Sequence, residues 1–211
     1  MNIVSAQGNI ISYRGPKGTR SAIVNAANVT LLGGGGVDGA VHAAAGPQLR
    51  HWAEWHLSKD ADGARCPTGS ARLSHAYELS NQVDFLIHAV GPIFTDSPRA
   101  RTPVYQAEIA EATHGHGKPA REVLKDTLRT VFDLAQDHRV THLAMPAISC
   151  GVFGCPMPTF AKVLHEVTAE RAKWPTIQTV TLVLWHDDET KQFRDTWAWL
   201  ADGGQDRVEF A

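Results

Sequence analysis

Cysteine is scarce, charge is nearly balanced and long apolar runs are missing, and each shortage removes a class of protein. Three cysteines in 211 residues, Cys66, Cys150 and Cys155, are an odd number and too few for a disulfide framework, which suits a reducing compartment. Formal net charge is −2, from 20 Lys plus Arg against 22 Asp plus Glu. No broad positive field is therefore present to hold duplex DNA or an anionic membrane, and any phosphate-bearing ligand must be held by local geometry. No apolar stretch approaches the ~18 residues of a membrane span. The opening MNIVSAQGNI lacks a basic region leading into an apolar one, so the expected location is the cytoplasm. What is present is a globular balance, 43% hydrophobic and 20% charged residues, which a disordered chain does not show. The length suits one large domain or two small ones, and no linker divides it; the expectation is a single domain over residues 1–211.

Short β-branched or apolar runs alternate with helix-length amphipathic segments, the pattern of a largely parallel sheet covered by helices on both faces. Strands are predicted at 2–7, 21–25, 71–77, 85–90, 142–147 and 179–185, and helices at 38–45, 48–59, 122–138, 158–174 and 188–200. Gly46-Pro47 marks one helix end and the start of the next. In the helix over 122–138, Val123, Leu124, Thr127, Leu128, Val131 and Leu134 form one stripe. Residues 95–119 read as an irregular insertion around a short helix at 104–112. His114 and His116 there, flanked by glycines without further ligands nearby, read as a solvated loop, and no metal is expected.

The strongest local signal is IVNAANVTLLGGGGVDGAVHAAAGP, Ile23 to Pro47, which runs from a buried strand through four glycines onto a helix. Four consecutive glycines cost backbone entropy. Either they form a flexible turn needing positive φ, or they let backbone amides at a helix N-terminus approach an anion. The string lacks the Lys-Ser/Thr ending of a phosphate-binding NTPase loop and the spacing of a dinucleotide fingerprint, so ATP hydrolysis and ordinary NAD redox chemistry lose ground. A second loop, AISCGVFGCP from Ala147 to Pro156, repeats the strand, loop, helix layout. Two such loops at the carboxyl ends of strands suit the two sides of a diphosphate. Asn25 and Asn28 at the strand end either cap the turn or orient a sugar hydroxyl or water. Asp38 opens the next helix, where a carboxylate either caps the helix or, beside a bound diphosphate, orients a water. His42, one turn on, reads as part of the helix face.

These strings resemble the macro domain family and, within it, the MacroD-type ADP-ribosylhydrolases and O-acetyl-ADP-ribose deacetylases. The resemblance rests on GNI (Gly8–Ile10), VNAAN (Val24–Asn28), LLGGGGVDGAVHAAAGP (Leu31–Pro47), CPTGSA (Cys66–Ala71), IHAVGP (Ile87–Pro92) and PAISCGVFGCP (Pro146–Pro156), in family order. It implies a three-layer α/β/α sandwich with a mixed, largely parallel sheet and a cleft for ADP-ribose. Asn9 and Ile10 would meet the adenine and Trp185 would stack on it, unless that indole fills the core. Gly33, Gly34, Gly35, Gly36 and Val37, with Ser149, Cys150, Gly151, Val152 and Phe153, would hold the diphosphate and distal ribose, and Ala26, Ala27, Ile148 and Gly154 would also bind the substrate. Asn28 would position that ribose and Asp38 would be the catalytic carboxylate.

The implied activity is removal of mono-ADP-ribose from modified Asp or Glu side chains, or deacetylation of O-acetyl-ADP-ribose, with water oriented by Asp38 and by the substrate's own phosphate. No cofactor is implied. The expected partners are ADP-ribose and ADP-ribosylated proteins, with no membrane, no nucleic acid unless itself ADP-ribosylated, and a monomeric state. Two departures stand out: Asn9 occupies a position where the family usually has Asp, removing charge assistance from an adenine contact, and Cys150 stands where Thr is commoner, a small packed residue rather than a nucleophile. The competing readings are an ADP-ribose reader without turnover and a single-stranded RNA binder using Arg99, Arg101, His114 and His116. Neutral charge and the lack of interleaved aromatic and basic residues count against the RNA binder.

Overall fold

Alternation of side chains along β2 (Ser21–Ala26) sends Ala22 and Val24 into one hydrophobic core and Ile23 into another. A strand buried on both faces reads as a continuous apolar run and must lie inside a sheet with helices above and below. The computed structural model, which describes residues 1–94 and 118–204, has that arrangement. Its other strands are β1 (Asn2–Gln7), β3 (Ser70–His75), β4 (Phe85–Val90), β5 (His142–Met145) and β6 (Thr179–Leu184), and its helices are α1 (Gly36–Ala45), α2 (Pro47–His56), α3 (Ala120–Asp137), α4 (Met157–Ala169) and α5 (Asp187–Ala201). The strand order is β1-β6-β5-β2-β4-β3, parallel throughout except that β3 runs antiparallel to β4. This is the expected three-layer α/β/α sandwich with a mixed, largely parallel sheet. The predicted insertion lies outside the described residues except for its last two, as do Arg99, Arg101, His114 and His116.

Helices α3 and α4 pack Leu128, Val131, Phe132, Phe160 and Leu164 against one sheet face, joined by Phe193 of α5. Val41 and Ala45 of α1 and Leu49 of α2 cover the other. Neighbouring strands β2 and β5 thus hand the chain to helices on opposite faces, α1 and α4, and their loops diverge at the shared carboxyl edge. In open α/β sheets such a divergence opens a crevice.

Element edges differ from expectation where a local constraint intervenes. The strand predicted over 71–77 ends at His75 because Tyr77 turns at φ +52°. Pro146, which cannot donate to a ladder, ends β5 at Met145. The helix predicted over 158–174 stops at Ala169, and a short turn over Arg171–Lys173 drops Trp174 into the core. There its indole N–H donates to Asp133 Oδ1 at 2.6 Å and its ring meets Phe132 edge-on with centroids 5.1 Å apart.

Charges join α3 to α4 at the surface. Arg129 grips Glu170 through Nε at 3.2 Å and Nη2 at 2.5 Å, and Lys173 adds a contact at 2.6 Å. Hydrogen bonds from Arg129, then from Lys173, hold the Glu170 carboxyl down at about 2. A depressed carboxylate stabilises the fold above its ordinary value of 4.5 and loses that contribution as pH falls toward the folded value. Because the cluster meets solvent, Glu170→Gln is expected to cost no more than ~1 kcal/mol near neutral pH. Urea unfolding should show that difference narrowing below pH 4.5 and in high salt.

Candidate functional site

Immediately past β2 the ladder continues one step, with Ala27 N–H donating to the Ala89 carbonyl at 2.9 Å. Asn28 then reverses the chain. Its Oδ1 accepts from Thr30 N–H at 3.0 Å and from the Thr30 hydroxyl at 2.6 Å, while its Nδ2 donates to the Gly33 carbonyl at 3.0 Å. The amide therefore caps the turn, and it also faces the site, since Nδ2 lies 3.4 Å from Asp38 Oδ2. Two glycines are favoured by geometry. A Cβ on Gly34 would come within 3.1 Å of Asn28 Nδ2 and 3.2 Å of Asp38 Oδ2, and Gly36 enters α1 at φ +59°. No side chain caps α1, so the amides of its first turn are left for a ligand.

Asp38 is not the helix cap that its position allowed. It sits in the first turn of α1, 4% exposed, with Oδ1 accepting from Asn25 Nδ2 at 2.7 Å and standing 3.6 Å from His42 Nε2. Burial raises the Asp38 carboxyl above its ordinary range; the Asn25 hydrogen bond and then His42 pull it part of the way back. Burial lowers His42, against the opposing pull of Asp38. His42 thus belongs to the carboxylate's surroundings rather than to a plain helix face.

The opposite wall is the loop after β5. Cys150 N–H donates to the Ala147 carbonyl at 3.1 Å, Gly154 N–H to Gly151 at 3.0 Å, and Cys155 N–H to Ser149 at 2.9 Å. Phe94 N–H holds the Phe153 carbonyl at 2.8 Å. Ser149 adopts φ +67°, and its buried Oγ has no hydrogen-bond partner among the described residues. A strained residue with a buried, unspent hydroxyl in a loop that lines a crevice is the sort of feature that binding sites retain. The Cys150 thiol is pushed well above its ordinary value by its hydrogen bond with Cys155 and by burial, so it is not a ready nucleophile at neutral pH.

Between these walls lies a cleft of about 700 Å³. Asn9, Ile10, Ala26, Ala27, Asn28, Gly34, Gly35, Gly36, Val37 and Asp38 line it, facing Ile148, Ser149, Cys150, Gly151, Val152, Phe153 and Trp185. Gly33 and Gly154 do not reach its wall; Gly33 turns behind it, where an added Cβ would meet the His42 ring at 3.3 Å. Trp185 is no core residue. It follows β6 and is 61% exposed at the cleft rim. Asn9 Oδ1 accepts from Ile11 N–H at 3.2 Å and caps the turn at Ile10–Ser12.

Sequence reasoning missed Gly8, Gly91, Pro146, Leu184, His186 and Glu189 on the same wall. Gly91 had a readable signal in IHAVGP, because a Cβ there would strike Ser149 Oγ at 2.3 Å. His186 and Glu189 form the capping box of α5 and gave no separate sign of lining a cleft. Among the described residues no group of three or more His, Cys, Asp or Glu side chains is placed to hold a metal ion, and no helix is long and apolar enough to cross a membrane.

Residues 24–164 match the family model described as Macro domain. The chain belongs to the macro domain family. It is 41% identical over 168 residues to a macro domain-containing protein of Vibrio parahaemolyticus, covering 79% of this chain and 82% of that one. It is 36% identical over 169 residues, 80% of each chain, to a protein of Enterobacter cloacae named O-acetyl-ADP-ribose deacetylase. Among solved structures it resembles the Oceanobacillus iheyensis macrodomain with ADP, with a TM-score of 0.73 at 28% identity, covering 94% of this chain and 91% of the other.

The macro domain keeps Asp38 at a cost in stability. A buried carboxyl with a raised value favours its protonated form, so its penalty to the fold is absent below the ordinary value of 3.8 and grows as pH rises through the raised one. Asp38→Asn is therefore expected to melt at a higher temperature than wild type near neutral pH, with the gain vanishing as pH falls toward 3.8. Thermal unfolding followed by circular dichroism at several pH values checks the sign.

Proposed function

We propose that this macro domain binds ADP-ribose in the cleft and hydrolyses the bond between its anomeric ribose carbon and a modified protein side chain, an Asp or Glu ester, with O-acetyl-ADP-ribose as a second ester substrate. The observation that carries this reading is a buried carboxylate, Asp38, fixed by two amides between two glycine-rich loops at one crevice. The name of the Enterobacter cloacae relative and the ADP complex of the Oceanobacillus iheyensis macrodomain support the ligand class.

In this reading the amides of α1's first turn and of Ser149, Gly151, Val152 and Phe153 take the diphosphate, offsetting its charge without a basic side chain. Trp185 and Ile10 take the adenine, beside Asn9. Phe153 presses the distal ribose toward Asn28 and Asp38. Asp38 and a ligand phosphate orient a water whose oxygen bonds to the anomeric carbon as the carbon–oxygen bond to the protein side chain breaks. Asp38 accepts a proton from that water, the protein side chain departs as a free carboxylate, and ADP-ribose remains in the cleft.

The test compares wild type with Asp38→Ala on a protein carrying Asp/Glu-linked ADP-ribose, with ADP-ribose binding measured by calorimetry alongside. Wild type should release ADP-ribose, and Asp38→Ala should lose about 100-fold or more in rate while still binding. Tight binding without release by wild type would identify a reader module; release that survives in Asp38→Ala would remove Asp38 from the chemistry. Asn9 gives a separate check. Its carbonyl already serves Ile11 N–H, so Asn9→Asp supplies an additional, charged acceptor and should tighten ADP-ribose binding by about two- to tenfold. An unchanged dissociation constant would detach Asn9 from base recognition.

A further inference from the structure

Behind Asp38, away from the cleft, three adjacent strands converge on one buried chain of polar groups. Asn25 of β2 is fully buried, His88 of β4 is 1% exposed and Ser74 of β3 is 3% exposed. Asn25 and His88 are register partners across the parallel pair β2 and β4. Asn25 Nδ2 lies 2.7 Å from Asp38 Oδ1 and 3.1 Å from His88 Nδ1, and His88 Nε2 lies 3.0 Å from Ser74 Oγ.

The hydrogens in this chain can be placed from its ends. Ser74 donates its hydroxyl hydrogen to the His75 carbonyl at 2.9 Å, so toward His88 its oxygen can only accept. The proton of the imidazole therefore sits on Nε2 and is given to Ser74, leaving Nδ1 as an acceptor. An amide nitrogen has two hydrogens and donates both: one goes to His88 Nδ1 and the other to Asp38. Asn25 Oδ1 itself has no hydrogen-bond partner among the described residues, so the two acceptors, not the carbonyl, fix which way the amide points. Buried polar atoms are seldom left unpaired, and here the orphan accompanies the placement of the NH₂ group on the carboxylate.

We infer that His88 is a positioning residue: held as the Nε2-protonated tautomer by Ser74, it orients the Asn25 amide so that Asn25 holds Asp38 Oδ1 in place at the cleft. Desolvation, with the nearby His42 adding to it, lowers His88 to about 3 and keeps the ring neutral near physiological pH. The ring's other neighbours are Trp52 of α2, with centroids 5.4 Å apart, and His42 of α1 at 6.3 Å. This inference rests on the hydrolase reading of Asp38.

The test uses the full-length protein and the ester-linked substrate. Long-range ¹H–¹⁵N spectra of wild type should show His88 protonated at Nε2. His88→Leu and Ser74→Ala should each lower kcat about tenfold or more, with KM and the ADP-ribose dissociation constant held within about threefold. His88→Asn, whose Oδ1 takes the place of Nδ1 as acceptor, should recover most of the rate. An Nδ1-protonated ring, a folded His88→Leu with wild-type kcat, or equal losses in His88→Asn and His88→Leu would overturn the inference. If His88→Leu does not fold, Ser74→Ala and the tautomer decide. Wild type without turnover would overturn the hydrolase reading and this inference with it, whereas turnover indifferent to His88 and Ser74 would overturn this inference alone.

Discussion

Placing a carboxylate where water is scarce constrains much of the surrounding structure. Asp38 faces a cleft yet is almost wholly buried, and desolvation opposes its charge. Its compensation is a 2.7 Å hydrogen bond from Asn25, a longer contact to Asn28 and the proximity of His42. Two of these partners are tied into the backbone frame. Asn25 is fixed within β2, Asn28 is spent closing the turn that leads to the glycines, and His42 stands one helical turn beyond Asp38. Gly34 answers to the same constraint, since it passes so close to Asp38 and Asn28 that a Cβ there would crowd both.

The near-neutral charge of the chain left any phosphate ligand to local geometry, and the structure shows what that geometry consists of. Extended polyanions need a wide basic surface. A single diphosphate needs only a few oriented amides, and an uncapped helix start faces a strained loop across the cleft. Among the described residues, Lys125 and Arg129 instead pair with Glu166 and Glu170 and so join α3 to α4.

Much of the fold was legible because its signals are local. Double-sided burial of β2 and β4 made apolar runs, and the amphipathic stripe of α3 was readable from Val123 to Leu134. Boundaries failed where one residue's backbone overrode the run, as at Tyr77, or where a distant partner captured a side chain, as Asp133 does for Trp174. Most of the expected cleft residues also proved neighbours, because glycine loops and strand ends announce themselves. The polar groups behind the wall did not. Ser74 and His88 look like ordinary strand residues, and Asn25 read as a cap or a sugar ligand; their association depends on the pairing of β2, β4 and β3, which no short string encodes. Trp185 remained open between core and rim until the end of β6 was seen to fall one residue earlier.

The handing of β2 and β5 to opposite layers has one more consequence. The two jaws of the cleft are rooted in strands that are immediate neighbours, about 4.8 Å apart by backbone pairing, so the roots of both loops are held at a fixed offset before they diverge. The helices beyond the jaws belong to different cores and answer to different neighbours. Packing beneath one jaw is thus set by residues that the other jaw does not share. A fold built this way ties both jaws of the cleft to one backbone ladder while supporting each from its own core.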